Sequence, residues 1–211
     1  MRTVILIPWR GGDPWREQAL DYVRQWYAPL GFPVVLGDSG DESFNRGASH
    51  NAAARSAGDW DVALNVGADI LAELDVVRLA VARARETGKL VLPHDDYLPL
   101  TEAQTLEVLD GTAPGDLRQR RRGVGRQTWA LSGALVFTHA AFDTIGGYDP
   151  NFVGWGWEDT AFYRDAERTV GVTRLPGAIW HLWHPRDAAA ERADFEANTP
   201  RGLTHVVRSQ V

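Results

Sequence analysis

The chain has 211 residues, 44% of them hydrophobic and 24% charged, which suffices for one folded domain and excludes a disordered chain. The net charge of -6 argues against a broad nucleic-acid-binding face, and the absence of cysteine excludes disulfides and zinc–thiolate sites. No apolar run approaches the ~20 residues of a membrane span, and the first residues lack a signal-peptide pattern. We therefore expect a cytoplasmic protein without a membrane span.

Strand and helix patterns alternate along the first half of the chain. The predicted elements are a strand over 3–7, a helix from residue 14, a strand over 32–36, a helix over 44–57, a strand over 61–66, a helix with apolar positions from 71 to 84, and a strand over 90–92. This alternation predicts a single α/β domain with a mainly parallel sheet and helices on both faces. Ligands of such sheets bind beyond the carboxyl ends of the strands.

The second half has a less regular pattern. Residues 94–127 lack periodicity and are predicted to be irregular, with 116–126 forming a lid that orders over a bound ligand. The arginines of that stretch are interpreted as a solvated loop: Arg118, Arg120, Arg121, Arg122 and Arg126. A strand over 130–137, a short helix over 140–145 and a longer helix from about residue 158 follow. Residues 188–211 are predicted to be an irregular tail that packs on the domain or extends from it.

A carboxylate and two imidazoles follow predicted strands. Asp69 comes after the third strand, and His181 and His184 come after the last one. An aspartate there can also cap the next helix, and a single histidine is more often structural. Together these groups are suitable ligands for a divalent ion such as Mn²⁺.

Two acidic residues follow a short segment of alternating glycine and tryptophan. Glu158 and Asp159 come directly after the segment 154–157, whose sequence is Gly-Trp-Gly-Trp. The glycines allow a ligand to approach the backbone, and the rings offer stacking faces. The acids can also act simply as caps at a helix start. The combination favours a ligand site over capping alone.

Four segments resemble one family of enzymes in matching order. The run from Gly146 to Asp159 resembles the signature of the β-1,4-galactosyltransferases and of the C-terminal region of the polypeptide N-acetylgalactosaminyltransferases. The runs Ile7–Arg10, Phe44–Arg46 with Asn51, and His184–Asp187 resemble other galactosyltransferase motifs. The resemblance covers most of the chain from Thr3 to Asp187. It implies a GT-A-like (Rossmann-like) fold over residues 1–187 and binding of a UDP-sugar.

The resemblance also implies roles for individual residues. Asp159 would be the catalytic base. Asp69 and His184 would hold Mn²⁺ (or Mg²⁺), with His181 as a reserve ligand. The residues implied to contact the donor are Pro8, Trp9, Arg10, Phe44, Arg46, Asn51, Ala68, Trp155, Glu158 and Asp187.

Two positions depart from the family pattern. Gly67 stands where the first carboxylate of the family's Asp-x-Asp motif would be, and Trp157 replaces a glycine beside the sugar. The first departure bears on the strength of metal binding, and the second on the identity of the donor sugar.

The sequence therefore predicts an inverting, metal-dependent glycosyltransferase. It would move a hexose, with galactose or N-acetylgalactosamine favoured, from a UDP-sugar to a hydroxyl acceptor. The acceptor could be a protein, a glycan, a lipid-linked sugar or a modified base. The alternatives are a non-catalytic UDP-sugar- or glycan-binding module and a nucleotidyltransferase, although the usual Gly-rich, Lys-containing loop of the latter is absent after the first strand.

Overall fold

A computed structural model describes residues 1–120 and 130–208. The strands are β1 (Thr3–Pro8), β2 (Val34–Gly37), β3 (Val62–Val66), β4 (Ile70–Ala72), β5 (Leu90–Leu92), β6 (Asp96–Pro99), β7 (Ala134–Thr138), β8 (Val172–Arg174) and β9 (Ala178–His181). The helices are α1 (Pro14–Tyr27), α2 (Arg46–Ser56), α3 (Leu74–Thr87), α4 (Glu102–Leu109), α5 (Pro114–Arg120), α6 (His139–Ile145), α7 (Glu158–Thr169) and α8 (Ala188–Arg208). None of the helices in these two stretches combines the length and apolar character needed to span a bilayer.

The main sheet has six strands in the order β2-β1-β3-β7-β5-β8. Strand β7 runs antiparallel to its neighbours β3 and β5, and the other neighbours pair in parallel. A smaller sheet has the order β4-β9-β6. The predicted α/β domain with a mainly parallel sheet is confirmed.

Helices cover both faces of the main sheet. Along β1, Ile5 and Ile7 belong to one core cluster, and Val4 and Leu6 belong to the other. Successive side chains of a strand point to opposite faces, so a run that is apolar throughout needs cover on both sides. Helices α1 and α3 contribute to the first cluster, and α2, α6 and α7 contribute to the second. This burial fixes the carboxyl ends of β1 and β3, where the candidate site lies.

The prediction of an irregular stretch over 94–127 is wrong for its described part. That part contains β6, α4 and α5, and α4 begins with a capping box formed by Thr101 and Gln104. Elements of four to eight residues carry too few positions for a clear periodicity, which explains the error. The arginine run is split, since Arg118 and Arg120 lie in α5. Residues 121–129, with most of the predicted lid and the remaining arginines, lie outside the described residues.

The prediction of an irregular tail from residue 188 is also wrong, because residues 188–208 form α8. The helix packs on α7 and on the segment 153–157 rather than on either core cluster. Its sequence therefore lacks the broad apolar stripe by which a core helix is recognised. Pro200, inside the helix, weakens the pattern further.

Candidate donor and metal site

A cleft of about 450 Å³ opens at the carboxyl ends of β1 and β3. It is lined by seven residues that the sequence predicted to be part of the site: Pro8, Trp9, Arg10, Phe44, Arg46, Ala68 and Asp69. They come from the ends of two parallel strands and from the start of α2. The sheet thus brings together groups that are up to 61 residues apart in the chain, since Pro8 and Asp69 share the cleft.

Two arginines beside the cleft have different surroundings. Arg10 makes a bidentate ion pair with Asp38, with Nη2–Oδ1 and Nε–Oδ2 distances of 2.6 and 2.9 Å. This hydrogen bonding holds the pKa of Asp38 below its ordinary value. Arg16 also lines the cleft, and its guanidinium has no ion-pair partner within residues 1–120 and 130–208. Arg16 was not predicted as a site residue, although its place in the first turn of α1, the helix that follows β1, was a signal that could have identified it.

A cluster of one carboxylate and two imidazoles adjoins the cleft through Asp69, which lines it. The ligand atoms of Asp69, His181 and His184 all lie within 4.8 Å of one another. The Nε2 atoms of both histidines are 3.4 Å from Asp69 Oδ2. The backbone supports this arrangement, because Leu182 N donates to Asp69 O at 2.8 Å. His181, predicted as a reserve ligand, is therefore as close to the carboxylate as His184.

A contact at Nδ1, the ring nitrogen on the other side from Asp69, orients each histidine. His184 Nδ1 lies 2.9 Å from the carbonyl oxygen of Pro185, so it carries the proton and donates. His181 Nδ1 lies 2.6 Å from the hydroxyl of Tyr97. The His184 contact therefore leaves its Nε2 atom unprotonated and facing the carboxylate, and the hydroxyl of Tyr97 fixes the orientation of the His181 ring. Oriented imidazoles beside a carboxylate fit a divalent transition ion.

Electrostatics also favour an ionised carboxylate in the cluster. Burial alone would raise the pKa of Asp69, but the charge and hydrogen bond of His181 and the charge of His184 outweigh it and lower that pKa. Burial lowers the pKa of His184. An ionised carboxylate at Asp69 and a neutral imidazole at His184 are the protonation states in which such groups bind metals.

Gly67 leaves no room for a side chain in this arrangement. A Cβ atom there would lie 2.9 Å from Asp69 Oδ1 and 2.9 Å from Ile70 Cγ1. The missing first carboxylate therefore reflects a different packing around Asp69, in which the position it would occupy is filled by Asp69 and Ile70.

The acidic pair after the glycine–tryptophan segment meets the cleft through Arg46. Arg46 Nη1 lies 2.9 Å from Glu158 Oε1 and 2.5 Å from Asp159 Oδ2. Burial alone would lower the pKa of Arg46, but the two carboxylates raise it. Burial raises the pKa of Glu158. The second oxygens, Glu158 Oε2 and Asp159 Oδ1, have no hydrogen-bond partner among the residues that the structure describes.

Part of the chain matches a known sequence family. Residues 125–187 match the family described as the N-terminal domain of galactosyltransferase. Over 53 residues the chain is 43% identical to human chondroitin sulfate N-acetylgalactosaminyltransferase 2, a stretch that covers 24% of this chain and 10% of that protein. The chain thus matches about a tenth of the length of that relative.

Several solved structures have a similar fold. Drosophila β1,4-galactosyltransferase 7 in complex with xylobiose is 19% identical with a TM-score of 0.59, over 89% of this chain and 74% of that one. S. aureus TarS 1–349 with UDP-GlcNAc is 12% identical with a TM-score of 0.64, over 100% and 68%. Glucosyl-3-phosphoglycerate synthase of Mycobacterium tuberculosis with Mn²⁺ and UDP-glucose is 12% identical with a TM-score of 0.56, over 97% and 78%.

The chain has the GT-A glycosyltransferase fold. The fold predicted from the motif order is thereby confirmed. In a GT-A domain, as in other open α/β sheets, the ligand cleft lies beyond the carboxyl ends of the strands, which is where the cleft of this chain is found.

Besides Glu158, which meets the cleft only through Arg46, three predicted donor-contacting residues of this GT-A domain do not line it. Asn51 exchanges two hydrogen bonds with the backbone of Tyr148, at 2.8 and 2.9 Å, so it joins α2 to the segment before α7. Asp187 accepts from Ala189 N and Ala190 N and caps the start of α8. Both contacts use these side chains to hold the fold together.

Trp155 is the third, and it lines a second cleft of about 480 Å³ beside α8. Its ring is 43% exposed and faces Arg186, whose guanidinium carbon lies 5.6 Å from the ring centroid. Phe195 of α8 lies on another side of the ring, with the centroids 5.9 Å apart. The exposed indole is thus available as a stacking face outside the first cleft.

Proposed function

We propose that this chain is an inverting glycosyltransferase that moves a hexose from a UDP-sugar to a hydroxyl acceptor. The observation that carries the proposal is that Arg46 connects the cleft to the acidic pair Glu158 and Asp159. Arg46 lines the same cleft as Asp69 of the Asp69–His181–His184 cluster, and its Nη1 lies 2.5 Å from Asp159 Oδ2. A leaving-group site and a candidate base are thereby adjacent.

The cleft would hold the nucleotide diphosphate. Arg16 gives it a positive charge without an ion-pair partner among the described residues, Arg10 and Arg46 add guanidinium donors, and the ring of Phe44 offers an apolar face for the base. Asp69, His181 and His184 would hold Mn²⁺ (or Mg²⁺). When bound, the ion supplies charge neutralisation for the departing diphosphate. A Drosophila β1,4-galactosyltransferase 7 mutant has been solved with manganese, UDP-galactose and xylobiose, which supports this assignment.

Asp159 would take the proton of the acceptor hydroxyl. Its Oδ2 is paired with Arg46, while Oδ1 has no hydrogen-bond partner within the described part of the chain and can accept. As the acceptor oxygen forms its bond to the anomeric carbon, the bond to the diphosphate oxygen breaks and the proton passes to Asp159. A single displacement of this kind inverts the anomeric centre.

Glu158 would recognise the donor sugar. Its side chain is 3% exposed, Oε1 is paired with Arg46, and Oε2 has no partner among the described residues. A buried carboxylate oxygen without a donor is costly, and a sugar hydroxyl would satisfy it. Galactose and N-acetylgalactosamine are favoured because the matched family and the human relative are galactosyltransferases and N-acetylgalactosaminyltransferases by name.

The second cleft would hold the acceptor. Trp155 and Phe195 provide apolar faces, and Arg186, Arg192 and Glu191 provide polar groups around them. Faces of this kind suit a sugar ring, which stacks its C–H bonds on an aromatic side chain. We therefore favour a glycan acceptor over a protein, a lipid-linked sugar or a modified base.

A screen for UDP release across donor sugars tests the proposal. The protein is supplied with Mn²⁺ and UDP-galactose, UDP-N-acetylgalactosamine, UDP-glucose or UDP-N-acetylglucosamine, with and without short glycans. Acceptor-stimulated release of UDP from one or two donors is expected. Tight binding of UDP with no turnover of any donor would instead identify a non-catalytic module, the alternative that Gly67 favours. Release of pyrophosphate would identify a nucleotidyltransferase.

A further inference from the structure

One face of α8 holds the segment between Val153 and Trp157. The contacts come from Asp194, Phe195, Asn198, Thr199 and Gly202. Residues three and four apart lie on the same side of a helix, so these five positions form a continuous strip. The strip lies beyond residue 187, where the match to the galactosyltransferase family ends.

Asn198 is the polar centre of the strip. It is 7% exposed, and its Nδ2 lies 2.9 Å from the carbonyl oxygen of Val153, 3.1 Å from that of Gly156 and 3.4 Å from that of Trp155. One amide group thus gathers three carbonyl oxygens of a single turn. Carbonyl groups removed from water need donors, and Asn198 shares its two N–H donors among these three.

The turn ends in a conformation that needs external support. Trp157 has φ 75, which is left-handed and unfavourable for a bulky side chain. Its ring stacks on Phe195 with centroids 5.5 Å apart, and its Nε1 donates to Thr199 Oγ1 at 3.0 Å. A Cβ atom at Gly202 would overlap the ring, so the helix backbone packs directly against it.

Glu158 and Asp159 begin α7 immediately after Trp157. The direction of their side chains is therefore set by the turn, and the turn is set by α8. We propose that Asn198 is a positioning residue for sugar transfer, acting through the turn 153–157 to place Asp159 beside the cleft. The inference rests on the proposed function, because it assigns a task to Asp159.

Asn198→Asp is the sharpest variant, because it keeps the shape of the side chain and replaces the donating NH₂ by an oxygen that repels the three carbonyls. UDP binding should be unchanged, since the strands β1 and β3 and helix α2 form the cleft. The value of kcat for transfer, counted per UDP-binding site, should fall on the order of 10²-fold, as expected for a misplaced catalytic group. The donor KM should change much less.

Three companion measurements separate positioning from stability. Asn198→Ala removes the donors without adding charge and should lower kcat in the same direction. Thr204→Ala, an exposed change on the same helix, should leave kcat at the parental value. Counting kcat per UDP-binding site removes the contribution of unfolded protein. A merely structural role would lower the melting temperature and leave kcat per site unchanged, which would overturn the inference.

The outcome also distinguishes this inference from the proposed function. If the parental protein transfers sugar and both Asn198 variants match it per site, the inference is wrong and the function stands. If the parental protein transfers no sugar from any donor, the proposed function is wrong and the inference falls with it.

Discussion

The two oxygens of Asp159, like those of Glu158, have different surroundings. One oxygen is paired with Arg46, and the other has no partner within the described residues. Asp159→Asn keeps the shape and removes the charge and the proton-accepting ability. We expect the rate of transfer to fall by about 10²–10⁴-fold, the usual loss when proton-transfer catalysis is removed. A steady-state assay of UDP release measures this.

UDP affinity gives the internal control for Asp159→Asn, because Arg46 keeps its contact with Glu158 in the variant. Asp143→Asn, a change at an exposed acid on α6, is the matched control and should have the parental rate. A folded Asp159→Asn protein with near-parental transfer would falsify the assignment of the base.

The Asp69–His181–His184 cluster predicts how Mn²⁺ binding responds to the loss of each ligand. Asp69→Ala should weaken Mn²⁺ binding most, because this change removes the negative charge of the site. His181→Ala and His184→Ala should weaken it by similar amounts, since each Nε2 lies 3.4 Å from the same carboxylate oxygen. Loss of at least about 10–100-fold is expected, since even outer-shell changes cost that much.

Titration calorimetry with Mn²⁺ in the presence of UDP measures these affinities. His139→Ala, at an exposed histidine on α6, should bind like the parental protein. Equal Mn²⁺ affinity in the parental protein and all three cluster variants would show that the ion binds elsewhere or not at all.

Gly67 predicts the result of restoring the family's first carboxylate. In Gly67→Asp the Cβ atom would push against Asp69 Oδ1 and Ile70 Cγ1, both 2.9 Å away. We expect destabilisation of about 1–3 kcal/mol from overpacking and weaker Mn²⁺ binding, because Asp69 must move. Gly67→Ala, which adds only the Cβ atom, should show most of the destabilisation. Tighter Mn²⁺ binding by Gly67→Asp at unchanged stability would contradict this account.

At the scale of elements, the ion pair that joins α2 to α7 carries a pH-dependent part of the stability. Burial raises the folded-state pKa of Glu158, so above its ordinary pKa of about 4.3 the native state binds more protons than the unfolded chain. Stability contributed by this group is therefore present at low pH and lost as the pH rises through the raised pKa. Arg46 limits that loss by pairing with the carboxylate.

Arg46→Gln should therefore destabilise the protein more at pH 8 than at pH 5. Removing one partner of a buried ion pair costs about 3–5 kcal/mol of stability. The cost of Arg46→Gln should approach that range only at a pH high enough to ionise Glu158. Urea unfolding at the two pH values gives the free energies. Arg83→Gln breaks an exposed pair with Glu86 and should cost less than about 1 kcal/mol at both. An Arg46→Gln effect that is independent of pH would show that Glu158 does not carry it.

The predictability of the elements follows from their burial. Strands β1 and β3 and helix α3 bury long apolar runs or stripes, so their sequences reveal them. The small sheet of β4, β9 and β6 has strands of three or four residues, too short for any period to show. Helix α8 packs on a turn instead of a core, so its pattern reflects that turn and is not recognisable before the fold is known.

The same reasoning applies to the site. The residues after β1 and β3 lie at strand ends, so the topology predicted that they meet at one edge of the sheet, whereas Phe44 and Arg46 near the start of α2 were predicted only from the family resemblance. Residues that support the site were missed because their partners are distant in sequence. Tyr97 meets His181 across 84 residues, and Asn198 meets Val153 across 45. No local pattern marks a tyrosine or an asparagine for such a contact.

At the scale of the whole molecule, the contacts of α8 tie the C-terminal segment to the GT-A domain. His205 Nδ1 lies 2.9 Å from Asp165 Oδ2 on α7, and Arg201 Nη1 lies 3.2 Å from Asp149 Oδ2. Together with the Asn198 contacts, these join residues 188–208 to the segment that carries Asp159. We expect the described helices and both sheets to unfold in a single cooperative transition, as a domain with one continuous set of packed elements does.

Ligand binding should then move that single transition as a unit. UDP with Mn²⁺ at about 100 times the dissociation constant stabilises the native state by about 2.7 kcal/mol. At 2–4 °C per kcal/mol for a chain of this length, the melting temperature should rise by roughly 5–10 °C. The rise should be the same by far-ultraviolet circular dichroism, which follows all helices, and by tryptophan fluorescence, to which Trp155 and Trp157 beside α8 contribute. EDTA should reverse most of it. Two transitions, of which the ligand moves only one, would show that residues 188–211 fold as a unit separate from the domain over 1–187.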